Sequence, residues 1–242
     1  MNPKITIITV CYNSEETILR TIESVASQNY DNLEYIIIDG KSRDKTVAII
    51  ESFREKTGLP SILISEKDSG IYDAMNKGIK NATGDIVCML NSDDWLELNA
   101  LNLVAENYHL GEETVIYGME RRIKNGIEEM VGFHSHNYLC EGNIPHQTCY
   151  VPLDCYKKYG GYDTKFKSAA DYDFMLRLAE NGVQFKPLYE ILANFSVGGM
   201  SAGSIGYVEE AKIKYTHGII SRKRYWYLIL RAKFLKLVGQ LK

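Results

Sequence analysis

No stretch of about 18 consecutive apolar residues occurs in this chain, so a membrane-crossing helix is not expected. The opening residues, MNPKITIITVCYNSEE, lack the basic start, long apolar run and small-residue cleavage site of a secretory signal, and none is expected. Cysteine is scarce and irregular. Five thiols at positions 11, 88, 140, 149 and 155 do not suit a disulfide framework and point to reduced cysteines in a cytosolic protein. A net charge of −3 argues against a molecule built to embrace nucleic acid. Glycine-rich phosphate cradles are missing as well: no G-x-G-x-x-G follows the first strand, and no G-x-x-x-x-G-K-[ST] occurs anywhere. The sequence has no internal repeat, low-complexity tract or interdomain linker.

What remains is an ordinary globular composition, 45% hydrophobic and 24% charged over 242 residues, enough for one α/β domain with a sizeable core. Lys4–Val10, Leu33–Ile38, Ile62–Ser65 and Asp85–Leu90 read as strands, the second apolar on both faces. Between them lie helical segments at about Asn13–Gln28, Lys45–Lys56 and Ile71–Asn81, with Asn13 and Glu16 spaced as a capping box. This alternation predicts a parallel sheet with helices on its faces. The second half predicts a strand at Thr114–Tyr117, a hairpin over Arg121–Val131 and helices at Leu153–Tyr159, Tyr172–Asn181 and Gly206–Ile220. Short strands are expected at Gln184–Pro187 and Ile191–Val197. The expected division is a domain over residues 1–221 and a separate terminal helix over residues 222–242.

Ligands of open parallel sheets bind at the carboxyl ends of the strands. Polar clusters stand at those ends: Cys11-Tyr12-Asn13, Asp39-Gly40, Glu66 with Asp68, and Asn91-Ser92-Asp93-Asp94. In the last, a buried apolar run stops at two adjacent carboxylates. They make a polar turn, or they hold a cation. If the rim binds a nucleotide's phosphates, carboxylates alone would repel them, and a divalent metal bridging the two resolves the conflict.

The stretches TIITVCYNSEETILRTIESVASQNYDNLEYIIIDGKSRDKT, EKDSGIYDAMNKGIKNATGDIVCMLNSDDW, IPHQTCYV and AADYDFMLRL resemble the inverting family 2 glycosyltransferases of bacterial polysaccharide synthesis, over roughly residues 4–200. The resemblance implies a GT-A fold: a mainly parallel central sheet flanked by helices, with a C-terminal helical extension. It implies transfer of a hexosyl or N-acetylhexosaminyl group from a nucleoside diphosphate, UDP being the expected nucleotide. The receiving group is a hydroxyl of a glycan or lipid-linked acceptor, and Mn²⁺ or Mg²⁺ is the implied cofactor. Thr9, Tyr12, Asn13 and Asp39 would line the nucleoside pocket. Asp68, Asn76 and Lys77 would sit near ribose, diphosphate or sugar. Asn91-Ser92-Asp93 aligns with the family's D-x-D motif, with Asp93 as metal ligand and Asp94 supporting it. His146 and Gln147 would face the acceptor, and Asp171 would deprotonate its hydroxyl. The chain departs from the pattern at Asn91, Gly40, Ala170 and Met119, where aspartate or glutamate is frequent in relatives.

Asp171 also precedes a helical pattern, where an aspartate caps well. Rival readings exist. GMSAG, residues 199–203, fits the nucleophile elbow of a serine hydrolase using Ser201, with Glu209 or Glu210 and His217 downstream. His134, His136, Cys140, His146, Cys149 and Cys155 cluster without recognised zinc spacing. A non-catalytic nucleotide-sugar-binding protein is the third.

From Arg222 to Lys242 there are seven Lys/Arg and no Asp/Glu, so the remainder of the chain carries about −10. Tyr225, Leu228, Ile229, Ala232, Leu235 and Val238 recur at helical spacing. That pattern suits a basic amphipathic helix on an anionic membrane, or one packed on protein. The expected location is cytoplasmic, peripheral on the inner face of the membrane.

Overall fold

The computed structural model describes residues 2–198 and 204–237. β1 (Ile5–Cys11), β2 (Leu33–Asp39), β3 (Ser61–Ser65) and β4 (Ile86–Asn91) are joined by α1 (Ile18–Ala26), α2 (Thr46–Thr57) and α3 (Ile71–Asn81). All four run parallel, in the order β3-β2-β1-β4. β1 is buried along its whole length, because helices cover both faces of the sheet. One core gathers Ile8, Val10, Ile36, Ile38 and Met75, and the opposite one Ile5, Ile7, Ile18, Ile22 and Ile37. Odd and even residues of the same strands thus feed two cores.

The second half breaks this order. β5 (Trp95–Leu96), α4 (Ala100–Asn107), β6 (Thr114–Lys124) and β7 (Ile127–Gly132) come first. β8 (Tyr150–Pro152), α5 (Leu153–Tyr159), α6 (Ala170–Glu180) and β9 (Gln184–Ser196) follow, then α7 (Ser204–Thr216) and α8 (Arg222–Leu237). β8 pairs antiparallel with both β4 and β6, β7 with β6, and β5 with β9, while β6 and β9 run parallel. The sheet is therefore mixed and curls into a half-barrel, which corrects the expectation of a mainly parallel sheet of the GT-A type. A parallel neighbour needs a long crossover, whereas Asn125 and Gly126, both at positive φ, reverse the chain in two residues. Register shifts within β6 mark bulges, which bend a strand and tighten its twist.

Three local expectations are also corrected. Asn13 does not cap α1, which begins at Ile18. Asn13 sits at φ 50°, and its Oδ1 accepts from the Arg43 backbone N–H, so its side chain ties two rim loops together. The two short strands expected at 184–187 and 191–197 form one long strand, β9. Helix α4 was not anticipated.

Candidate active site

A cleft of about 1710 Å³ opens at the carboxyl ends of β1 and β4. Tyr12 and Asn13 after β1, Gly40 to Asp44 after β2, Asp68 after β3 and Asn91-Ser92-Asp93 at the end of β4 line it. So do Glu120 and Arg122 of β6, Asn143, His146, Gln147 and Asp171. The loops after β1, β2 and β3 are closely fitted. A Cβ at Gly40 would lie 2.9 Å from an Asp68 carboxylate oxygen and 3.3 Å from the Tyr12 ring.

Not every expected residue reaches this cleft. Thr9 is buried in the sheet, where its Oγ1 accepts from the Tyr35 hydroxyl. Asp39 is buried too and accepts from the Ser42 backbone N–H and the Ser65 hydroxyl, organising the loop that follows it. Asn76 bonds both ways to the backbone of Tyr162, and Lys77 pairs with Asp68 at 2.6 Å and Glu66 at 3.0 Å. These residues shape the rim from behind.

The turn after β4 separates its two carboxylates. Asp93 faces the cleft, while Asp94 points inward, is fully buried, and accepts from the Ser196 backbone N–H at 2.9 Å. Burial, then the Asp93 charge beside it, holds Asp94 well above the usual carboxylate range. Burial also raises Asp93, opposed by Arg20. Arg20 donates to the Asp93 carbonyl at 2.9 Å and stacks on Trp95 at 3.6 Å, which fixes the turn. The Oδ1 atom of Asn91 is buried and has no hydrogen-bond partner among the described residues.

Asp171 lies in the first turn of α6, not at its cap, which Ala169 occupies. Tyr72 donates to Asp171 Oδ1 at 2.7 Å and Asn143 to Oδ2 at 2.6 Å. Each carboxylate oxygen retains a free lone-pair direction. Burial and the Asp171 charge push the Tyr72 phenol up, so it stays a donor. Burial lowers the His146 imidazole and favours its neutral form. His146 Nε2 lies 3.1 Å from the Tyr162 hydroxyl. Gln147 donates to Glu120, a buried carboxylate that also accepts from Arg122 at 2.6 Å.

Tyr72, Asn143, Glu120 and Arg20 were missed in the sequence. Only Tyr72 carried a signal there, since it lies inside the D-x-G-x-Y stretch beginning at Asp68.

Ser201 lies outside the described residues. Its would-be partners are engaged elsewhere: Glu209 accepts from the backbone of Lys167 and Ser168, Glu210 pairs with Lys214, and His217 sits between Asp173 and Glu180. Among the described residues no three His, Cys, Asp or Glu side chains converge as a metal cage. The cysteines are free, with Cys11, Cys88, Cys149 and Cys155 buried and Cys140 exposed.

Known proteins resemble this chain in sequence and in fold. An uncharacterised glycosyltransferase of Mycobacterium tuberculosis is 34% identical over 188 residues, covering 73% of this chain and 69% of the relative. The amylovoran biosynthesis glycosyltransferase AmsB of Erwinia amylovora is 30% identical over 207 residues, covering 78% and 68%. The crystal structure of Staphylococcus aureus TarS 1–349 in complex with UDP-GlcNAc superposes with a TM-score of 0.72 at 18% identity, over 93% of this chain and 70% of that one. The pattern of the family described as "Glycosyl transferase family 2" matches residues 6–163, the span from β1 through the Asp93 turn to α5, and the chain belongs to that family.

Proposed function

We propose that the protein transfers a hexosyl or N-acetylhexosaminyl group from a nucleoside diphosphate, UDP first among candidates, to an acceptor hydroxyl with inversion. The observation that supports this most is one cleft lined by both Asp93 and Asp171, carboxylates 78 positions apart in the chain. A TarS complex holds UDP-GlcNAc and a relative is named for amylovoran biosynthesis. The first supports a UDP-linked donor and the second a place in polysaccharide biosynthesis, with a glycan or lipid-linked saccharide as acceptor.

In this reading the nucleoside lies against Tyr12 and Gly40, and the diphosphate lies beside Asn91-Ser92-Asp93. The acceptor hydroxyl enters along His146 and reaches Asp171. Its oxygen attacks the anomeric carbon opposite the diphosphate, the bond from that carbon to the diphosphate oxygen breaks, and the hydroxyl proton passes to Asp171. Tyr72 and Asn143 hold the carboxylate in place.

The donor set fits Mn²⁺ or Mg²⁺, hard cations that take oxygen ligands. Asp93 and the unpartnered Asn91 Oδ1 are the atoms that would hold the ion, with Asp94 buried behind them. When bound, it would supply Lewis-acid stabilisation of the departing diphosphate. Two protein oxygens leave room for phosphate oxygens and water in its coordination.

The decisive experiment measures UDP release from a panel of UDP-, GDP- and dTDP-sugars, with Mn²⁺, Mg²⁺ or chelator, for the wild type and Asp171→Asn. Metal-dependent release from a UDP-sugar that the variant loses is the expected result. A protein that is stabilised by the nucleotide sugar yet never turns it over would instead be a binding module.

A further inference from the structure

We propose that the outward face of α8 docks the protein on an anionic lipid bilayer. The face that helical spacing had marked for this role does not perform it. Ile229 and Ala232 are buried, and Tyr225 stacks on Tyr215 of α7 at 4.9 Å. Leu228 and Leu235 are half-buried on the same side. That face anchors α8 to the protein.

A second apolar ridge points the other way. Trp226, Leu230, Phe234 and Leu237 are 51%, 63%, 62% and 85% exposed. Their spacing of four, four and three residues lines them up along one side of the helix. A helix packed on a soluble domain ordinarily turns a polar face to water. Here Lys223 continues the line of the ridge one turn before Trp226 and Lys233 flanks it by helical phase, with Arg222, Arg231 and Lys236 farther round, all exposed. No acidic residue lies between Arg222 and Lys242.

The charge selects the occupant. A two-fold contact between copies would set ridge on ridge and basic flank on basic flank, with no counter-charge on either helix. An anionic headgroup layer accepts both the ridge and the flanks. Trp226 and Tyr227 suit the headgroup depth. Among the described residues no helix is long and apolar enough to cross a membrane, so contact would be in the plane of the surface.

The position also serves the reaction. Glu209 of α7 accepts from the backbone of Lys167 and Ser168, which line the cleft beside Asp171. α7 thus connects α8 to the acceptor side. The purpose of docking rests on the lipid-linked acceptor proposed above. The docking does not, and a vesicle assay without sugar nucleotide keeps the two separable.

The test sediments the full chain with vesicles of phosphatidylglycerol and phosphatidylcholine in equal parts, and with phosphatidylcholine alone. Binding to the anionic vesicles only, weakening as salt rises, is expected. Combining Trp226→Ser, Leu230→Ser and Phe234→Ser should weaken it by about tenfold or more. Should that variant fold poorly by circular dichroism, Lys223→Gln with Arg231→Gln and Lys233→Gln, off the packed face, makes the same comparison. With Trp95→Phe, Trp226 becomes the only tryptophan, and its emission should shift to the blue on anionic vesicles. Wild type that stays in the supernatant, or variants that pellet like wild type, would overturn the proposal. So would a dimer in sedimentation velocity that the ridge substitutions disperse without any vesicle binding.

Discussion

Tyr72 of α3 donates its phenolic hydrogen to Oδ1 of Asp171 in α6 at 2.7 Å, across 99 positions of sequence. A residue of the helix after β3 thereby orients a carboxylate carried by a helix from the second half of the chain. Asn143 holds the other oxygen, so Asp171 has little freedom to turn away from the cleft.

Asp171→Asn should fold and bind UDP normally but lose turnover by roughly 10²–10⁴, or about 3–5 kcal/mol of transition-state stabilisation. Asparagine keeps the shape but accepts no proton at neutral pH. Losing a negative charge from the first turn of α6 should cost only about 0.3–1 kcal/mol of stability. Tyr72→Phe should show a smaller loss of kcat and an altered pH–rate profile, because the base remains but is held by one donor. Normal turnover of Asp171→Asn on a UDP-sugar would place the base elsewhere.

Asp173→Asn makes the contrasting case. Asp173 faces Arg177 at 2.9 Å and His217 at 3.0 Å rather than the cleft. Its substitution should lower the melting temperature and leave kcat close to wild type. Steady-state kinetics beside a thermal melt separates the two aspartates.

Asp93→Asn and Asp94→Asn should part in opposite directions. Asp93→Asn should nearly abolish turnover and metal-dependent UDP binding, as calorimetric titration would register. Asp94 has a folded pKa raised by burial and by Asp93. Its protonated form is favoured by folding, so its contribution to stability is present below the ordinary carboxylate value and is lost as pH rises through the raised one. Asp94→Asn should therefore stabilise the protein at neutral pH and flatten that fall, in denaturant melts taken from acid to neutral pH.

His217 supplies the converse pH signature. Burial opposes its charged form, but the hydrogen bonds it donates to Asp173 and Glu180 outweigh burial and raise its pKa above the ordinary 6.5. The resulting stability is fully present below that unfolded value and is lost as pH rises through the folded one. His217→Gln should thus cost more stability at pH 6 than at pH 9, as urea melts at the two pH values would record. An equal cost at both would mean that the imidazole acts only by packing.

Asn91→Asp would complete the D-x-D pattern with which the resemblance aligns Asn91-Ser92-Asp93. It adds a charge beside the buried Asp94, whose Oδ2 now receives the Asn91 amide at 3.4 Å. The variant should bind Mn²⁺ more tightly and melt at a lower temperature without the ion, as metal titration and thermal melts would show.

Four parallel strands, the helices between them and one rim bearing Tyr12, Asp68 and Asp93 were all legible in the sequence. There, local periodicity and short-range crossovers specify neighbours directly. The directions of the later strands were not legible. β8 meets both β4 and β6 antiparallel, and a three-residue strand carries no periodic signal to say so. Nor does sequence order distinguish Asp93 from Asp94. The turn after β4 decides it, by giving the Ser196 backbone N–H to one and the cleft to the other. The same limit applies to α8. Its apolar residues occupy two opposite faces, so spacing alone names two possible inner surfaces. Only packing against Tyr215 and α7 selects Ile229 and Ala232 for burial and leaves Trp226 and Phe234 outside. Periodicity assigns a residue to a face, and the tertiary structure decides what that face meets.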